Sequence, residues 1–273
     1  MKKLLMVTFS AGLLLSACSF SSDTSNKKEA KFGEMMNNGK RVSFVLKNKD
    51  EESTPDKDNP ISDYIFTNDG KSTTYHDSNG KYDLGDLKDK SQDEILKIAK
   101  KVDKESLEKE RKDVLGDARN DRDVEKTNYE EGIKLRGKNS SDTKSDKAIF
   151  EDYDKKYKDL KNLKYTEPKE RNLKIGVVED GTGNNTEKER FYAFPRYIDV
   201  DSYEFITDTK KINHHMFEME GTHKNITVYD DKYAYLSSSE TDDDRYYLAT
   251  KVGKKSEKSA LDKPDSKYVK RED

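Results

Sequence analysis

Apolar and polar positions follow two different rhythms along this chain, and each rhythm predicts a kind of element. From Arg41 to Lys47 the two alternate, with Val42, Phe44 and Leu46 on one side, the period of a half-buried strand. After a polar loop holding Pro55 and Pro60 come Tyr64-Ile65-Phe66-Thr67, Asp69-Gly70, and Ser72 to Tyr75. Asp-Gly between two such runs predicts a hairpin, because both residues accept the positive φ of a tight turn. At Ser91 the rhythm changes. Ser91-Gln92-Asp93-Glu94 has capping-box spacing, and Ile95, Ile98, Ala99 and Val102 follow as one helical stripe. Leu107, Val114 and Leu115 fall out of phase, which predicts a break near Asp103 to Ser106 or a second, more exposed helix ending by Gly116. Residues 117–150 are almost wholly polar and read as a connector or a solvated helix.

Beyond residue 150 the pattern is mostly that of strands. Tyr153, Tyr157 and Leu160 keep helical spacing up to Pro168, after which Leu173, Ile175 and Val177 alternate. A polar turn over Glu179 to Glu189 and a return strand over Phe191 to Phe194 follow. Tyr203 to Ile206, Ile226 to Tyr229, Tyr233 to Leu236 and Tyr246 to Ala249 are further short strands. Short strands joined by turns, without regular intervening helices, predict an α+β fold: an antiparallel sheet or sheets with one or two amphipathic helices.

The first residues carry a different pattern. Lys2 and Lys3 precede an apolar run from Leu4 to Leu15, 12 residues long, which suits a signal-peptide core and is short for a bilayer span. Leu15-Ser16-Ala17-Cys18 follows, with the only cysteine of the chain. An ordinary secretory cut after Ala17 would place Leu15 where a small residue is wanted. The order Leu-Ser-Ala-Cys instead matches a lipobox, in which Cys18 receives a diacylglyceryl group before cleavage between Ala17 and Cys18. Each buried methylene contributes roughly 0.8 kcal/mol, so two or three acyl chains hold firmly. The domain reading is a signal peptide over 1–17, a lipidated cysteine and flexible tether over 18–38, an α+β lobe over 39–116, a polar connector over 117–150 and a β-rich lobe over 151–273. Met35-Met36 in the tether reads as an incidental apolar pair.

Composition bounds what the rest can do. Leu, Ile, Val and Phe number 51 of 273, close to the level below which chains stay disordered, but 16 tyrosines add apolar surface. Net charge is -3, and removing Lys2 and Lys3 takes the mature chain to -5. That balance gives no electrostatic case for nucleic acid, and a mildly acidic body is not drawn to an anionic membrane. Membrane residence is therefore assigned to the lipid on Cys18. A single cysteine excludes an internal disulfide.

Few constellations carry chemistry. His214-His215, with His223 and His76, invites a metal reading, yet neighbours on a strand point to opposite faces and no acidic or cysteine partner stands at ligand spacing. Asp180-Gly181-Thr182-Gly183-Asn184-Asn185 has glycines for a phosphate loop and oxygens for calcium, in neither required register, and a hairpin turn accounts for it. Asp242-Asp243-Asp244 reads as a solvated turn. No nucleophile elbow or zinc-protease signature occurs. The tyrosine-rich strands are read as core rather than as an aromatic binding face.

Taken together, Asp180 to Thr186 in a hairpin connection, Leu248-Ala249-Thr250-Lys251-Val252-Gly253, Leu261-Asp262-Lys263-Pro264, Gly39-Lys40-Arg41-Val42 and the helix from Ser91 resemble a group of staphylococcal lipoproteins of unknown function. The resemblance covers most of the mature chain. It implies a surface lipoprotein and supplies no catalytic residues. The resulting expectation is a non-enzymatic, lipid-anchored extracytoplasmic protein, without cofactor, that binds an envelope or host partner. The alternative is the solute-binding lipoprotein of an importer, which wants two α/β lobes around a cleft.

Overall fold

A short strand β1 (Glu29–Lys31) and a single helical turn α1 (Phe32–Met36) come first in the packed body. The computed structural model describes residues 23–48, 54–193, 195–207, 216–238 and 245–272. After α1 the chain forms a meander of β2 (Lys40–Lys47), β3 (Ile61–Asn68) and β4 (Lys71–His76), the last two joined at Asp69 (φ 45°) and Gly70 (φ 79°) as the Asp-Gly pair predicts. Two helices then leave the sheet and return, α2 (Gln92–Arg136) and α3 (Ser141–Asn162). The second half adds β5 (Arg171–Asn172), β6 (Ile175–Glu179), β7 (Thr186–Tyr192), β8 (Tyr197–Ile198), β9 (Phe205–Ile206), β10 (Met216–Glu220) and β11 (Ile226–Val228). It ends with β12 (Asp231–Ser238), β13 (Tyr246–Val252), β14 (Lys258–Ala260) and β15 (Lys270–Arg271). The class is α+β, with three α-helices among the described residues and a curled, mostly antiparallel sheet.

Both expected lobes share that sheet. Its strand order is β15-β6-β7-β10-β12-β13-β2-β3-β4-β5, with β11 beside β12, so β13 from the second half pairs directly with β2 from the first. The order also returns to its start, because β5 runs into β6 through Leu173 and Lys174. Leu173 N–H donates to Gly70 O (2.9 Å) while Tyr192 N–H donates to Lys174 O (3.2 Å), so one extended segment serves both ends. Alternation along the strands gives each residue set its own face. Val45, Ile65, Phe191, Met219, Leu236 and Leu248 point into the curl; Val42, Phe44, Tyr64, Tyr235 and Tyr247 point out of it.

The tether over 18–38 is overturned for its second half. Ala30, Phe32, Met35 and Met36 are fully buried, and α1 fills the curl with Phe32 edge-on to Phe191 at 5.9 Å. Met35-Met36 is therefore core, not an incidental pair: an interior lined by small and medium side chains needs a separate piece to fill it. β1 lies parallel to β14, and the Gly33 amide donates to Asp262 Oδ2 at 2.7 Å, tying residues 29–33 to residues 258–262.

The break expected in the helix is also absent. α2 is continuous for 45 residues, about 67 Å at 1.5 Å per residue. Its stripe shifts phase because its partner changes. Ile95, Ala99 and Val102 pack on the outer sheet face, whereas Leu107, Val114 and Ala118 pack with Leu160 of α3 and with Ile198 and Tyr203 beside β8 and β9. Gly116 sits inside the helix and ends nothing. The polar connector over 117–150 is thus the outer part of a helical hairpin, capped by Gly137 (φ 80°) and by Ser140, whose hydroxyl accepts from the Thr143 amide.

Candidate functional site

The start of α2 is fixed by its sequence, and it shapes a cleft with an apolar lining. Ser91 Oγ accepts from the Glu94 amide (3.3 Å) and the Glu94 carboxylate accepts from the Ser91 amide (2.8 Å), the predicted capping box. Burial of Ile95 on the outer sheet face then leaves a cleft of about 300 Å³ between the first helical turn and strands β2, β12 and β13. Its floor is Val42, Phe44, Leu87, Ile95 and Tyr233; its rim is Asp89, Lys90, Ser91, Gln92, Asp231 and Lys251. Asp231 and Lys251 form an ion pair across β12 and β13. Asp89 holds φ at 58°, a conformation that L residues other than Asp and Asn seldom take, so the rim is a tight turn. Beside it, Lys88 Nζ stands 4.7 Å from the centre of the Tyr229 ring.

This lining is apolar beneath and charged with both signs above, the composition of a site that holds an amphipathic small molecule. It contains no histidine or cysteine, and its one serine caps the helix. Burial pushes the Tyr233 hydroxyl well above its ordinary pKa, with Asp231 adding to the effect, so this group acts as a neutral phenol.

A second cluster lies where β3 and β4 meet α2. The His76 amide donates to Asp103 Oδ1 (3.0 Å), and its ring Nδ1 is 2.9 Å from Asp63 Oδ1. Tyr165 Oη and Arg196 Nη2 both donate to Asp103 Oδ2, each at 2.8 Å. Burial alone would push the imidazole pKa down; the Asp63 carboxylate, with Glu110 behind it, reverses this and raises it to about 9. Burial raises the Glu110 carboxyl as well. His76 is therefore a cation near neutral pH and has no proton-accepting nitrogen to offer. The cluster works as a clasp between the sheet, α2 and the segment after β7.

A third buried group is inside the curl. Glu189 is fully buried, with its carboxyl set against the side chain and backbone of Asp262. Burial raises both carboxyls, that of Glu189 far above the usual range, and their mutual repulsion adds to the rise for Glu189.

The residues singled out from sequence do not assemble into one site. His223 stacks on Tyr235 (4.7 Å), with its Nε2 3.3 Å from the Glu220 carbonyl and 3.0 Å from Ser237 Oγ. Burial lowers the pKa of His223, which favours the neutral ring beside the Ser237 hydroxyl. His76 belongs to the separate clasp, and His214 and His215 lie outside the described residues. No group of three or more metal-capable side chains occurs among the described residues. Asp180 is held by its own hairpin: Oδ1 accepts from the Thr182 hydroxyl (2.7 Å) and Oδ2 from the Asn185 amide group (3.0 Å), which keep its pKa well below the ordinary carboxylate value. Asp242-Asp243-Asp244, Ala17 and Cys18 also lie outside the described residues.

The cleft was missed because its floor residues come from three distant stretches and read individually as core. The alternation at Val42 and Phe44 and the capping box at Ser91 were both visible. Their juxtaposition depends on β13 pairing with β2. Comparison with known protein families, curated proteins and solved structures returned no match.

Proposed function

We propose that this chain is a lipid-anchored extracytoplasmic protein that binds a small amphipathic ligand rather than transforming one. One observation carries the anchor: the only cysteine stands directly behind a Lys2-Lys3 start, a short apolar run and Leu15-Ser16-Ala17. No helix among the described residues is long and apolar enough to cross a membrane, and in this reading the lipid on Cys18 supplies the attachment. The staphylococcal-type resemblance points the same way.

The binding half of the reading is supported by the cleft at the start of α2, which pairs an apolar floor with charges of both signs. The non-enzymatic half is supported by His76, which Asp63 holds as a cation with no proton-accepting nitrogen to offer. The importer-subunit alternative expects two lobes around a cleft, and the single sheet shared by both halves lends it no support.

Two experiments test the reading. Growth with an alkyne-bearing fatty acid should label the protein, and Cys18→Ser should abolish the label and release the chain into the medium; an unlabelled parent sinks the anchor. A thermal-shift screen of amphipathic metabolites should find a stabiliser whose effect is lost in Val42→Trp, which fills the cleft. Turnover of any such compound would overturn the non-enzymatic reading.

A further inference from the structure

Overall charge conceals a basic face at the point where the chain enters the body. The parallel pairing of β1 with β14 places Glu29 opposite Lys258, and the amides of Glu257 and Lys258 both donate to Lys28 O (2.8 and 3.2 Å). The 27–31 and 253–260 segments are thereby bound edge to edge, and an isolated bridge between Lys224 and Lys258 brings a third segment alongside. Lys27, Lys28, Lys224, Lys254, Lys255 and Lys258 are all exposed there. Glu34, Glu257 and Glu29 offset three of them, through pairs with Lys27 (2.6 Å), Lys28 (3.6 Å) and Lys258 (2.8 Å). The Lys232 ammonium lies beside the same segment, donating to Lys254 O (3.1 Å) and Ser256 O (2.8 Å). The face is thus net positive on a chain that is net negative.

Distance makes this position matter. Only residues 19–22 separate Cys18 from Asp23, the first described residue. Five Cα steps reach at most roughly 18 Å, so the anchor cannot carry the body across a thick wall.

We infer that this lysine face docks on the anionic lipid surface into which Cys18 is anchored, holding the body in one orientation with the β1–β14 pair toward the membrane. The inference rests on the lipid-anchor reading and adds a surface and a partner chemistry to it. An acyl chain and a basic patch reinforce one another, because the first holds the second within the range of the surface potential. A wall polymer is the competing polyanion, but the short link favours lipid.

The test uses the lipidated protein purified from cells and reconstituted into phosphatidylglycerol or phosphatidylcholine vesicles. Lysines are acylated and read by mass spectrometry. Lys28, Lys254 and Lys255 should react at least about threefold more slowly on phosphatidylglycerol, and raised salt should cancel the difference. Lys126 and Lys147 on the helical hairpin should react equally on both lipids. Lys254→Glu/Lys255→Glu should remove the protection of Lys28 while the protein stays anchored. Equal labelling of an anchored protein on both lipids overturns the docking alone, as does protection seen only on cells with intact walls. A protein that floats with neither vesicle, or whose Cys18 peptide lacks lipid mass, overturns the anchor instead.

Discussion

The curled sheet and the helical hairpin are held together differently. Inside the curl, Phe32, Met35, Met36, Val45, Leu236 and Leu248 are packed to near-zero exposure. Over the outer hairpin, from Asp117 to Asn162, the only buried side chains of any size are Ala118, Thr143 and Leu160, and Val124, Leu135 and Ile149 face solvent. Order there comes from close approach and polar contacts. Gly132 meets α3 near Asp146, its carbonyl accepts from Thr143 Oγ1 (3.1 Å), and Tyr129 stacks on Phe150 at 6.2 Å. Arg122 lies 4.3 Å over the Tyr157 ring, and Tyr203 Oη donates to Asp121 at 2.6 Å. Burial makes the sheet cooperative, whereas capping and short-range pairs make the hairpin a semi-independent arm. Exposed i,i+4 ion pairs such as Lys126–Glu130 add only a few tenths of a kcal/mol each.

The sharpest way to break this contrast is to empty the curl. Phe32→Ala should cost about 3–5 kcal/mol, because a fully buried ring leaves a cavity that the sheet closes only in part. Urea unfolding followed by tyrosine fluorescence measures it, and a loss below about 1 kcal/mol would show that α1 does not plug the core. Next, Glu189→Gln should stabilise the protein by on the order of 2 kcal/mol at pH 8 and have little effect near pH 4. With the folded pKa of Glu189 and Asp262 above the unfolded values, this site favours folding most at low pH and loses that contribution as pH rises through the raised values. Parallel pH profiles of parent and variant would refute the assignment.

His76 should show the same sign with a different window. Its contribution is full below the unfolded pKa near 6.5 and lost as pH rises through about 9. The magnitude is about 2 kcal/mol after allowing for its partial exposure, and His76→Gln should flatten melting temperature between pH 7 and about 10. On the arm the effects are smaller. Ser140→Ala should cost about 1 kcal/mol by uncapping α3. It should raise hydrogen exchange in α3 without shifting the main urea midpoint. Gly116→Ala, at a helical site with nothing within 4 Å of the new methyl, should raise helix stability by about 0.5–1 kcal/mol. Equal shifts of sheet and arm in either variant would erase the distinction between them.

Local signals were legible in the sequence and their assembly was not. The Asp69-Gly70 turn, the Ser91–Glu94 box and the Asp180–Asn185 hairpin are made by residues a few positions apart, and all three formed as their chemistry predicts. The Phe32–Met36 plug failed to announce itself because five residues carry no measurable period and sit among lysines and glutamates. Continuity of α2 was hidden because a phase slip is the mark both of a break and of a change of packing partner. The cleft, the His76 clasp and the Glu189–Asp262 pair each join residues more than ten positions apart, and periodicity says nothing about such joins.

The pairing of β1 with β14, and of Gly33 with Asp262, has a consequence for how the chain acquires its structure. These contacts join residues 229 positions apart, so their loop-closure entropy is offset only when nearly the whole chain is present. The plug cannot be locked in place before Asp262 has been made, because the strand and carboxylate that fix it lie 229 residues further along the chain. Folding should therefore finish late, with the helical arm formed early from local contacts and the curled sheet sealed afterwards.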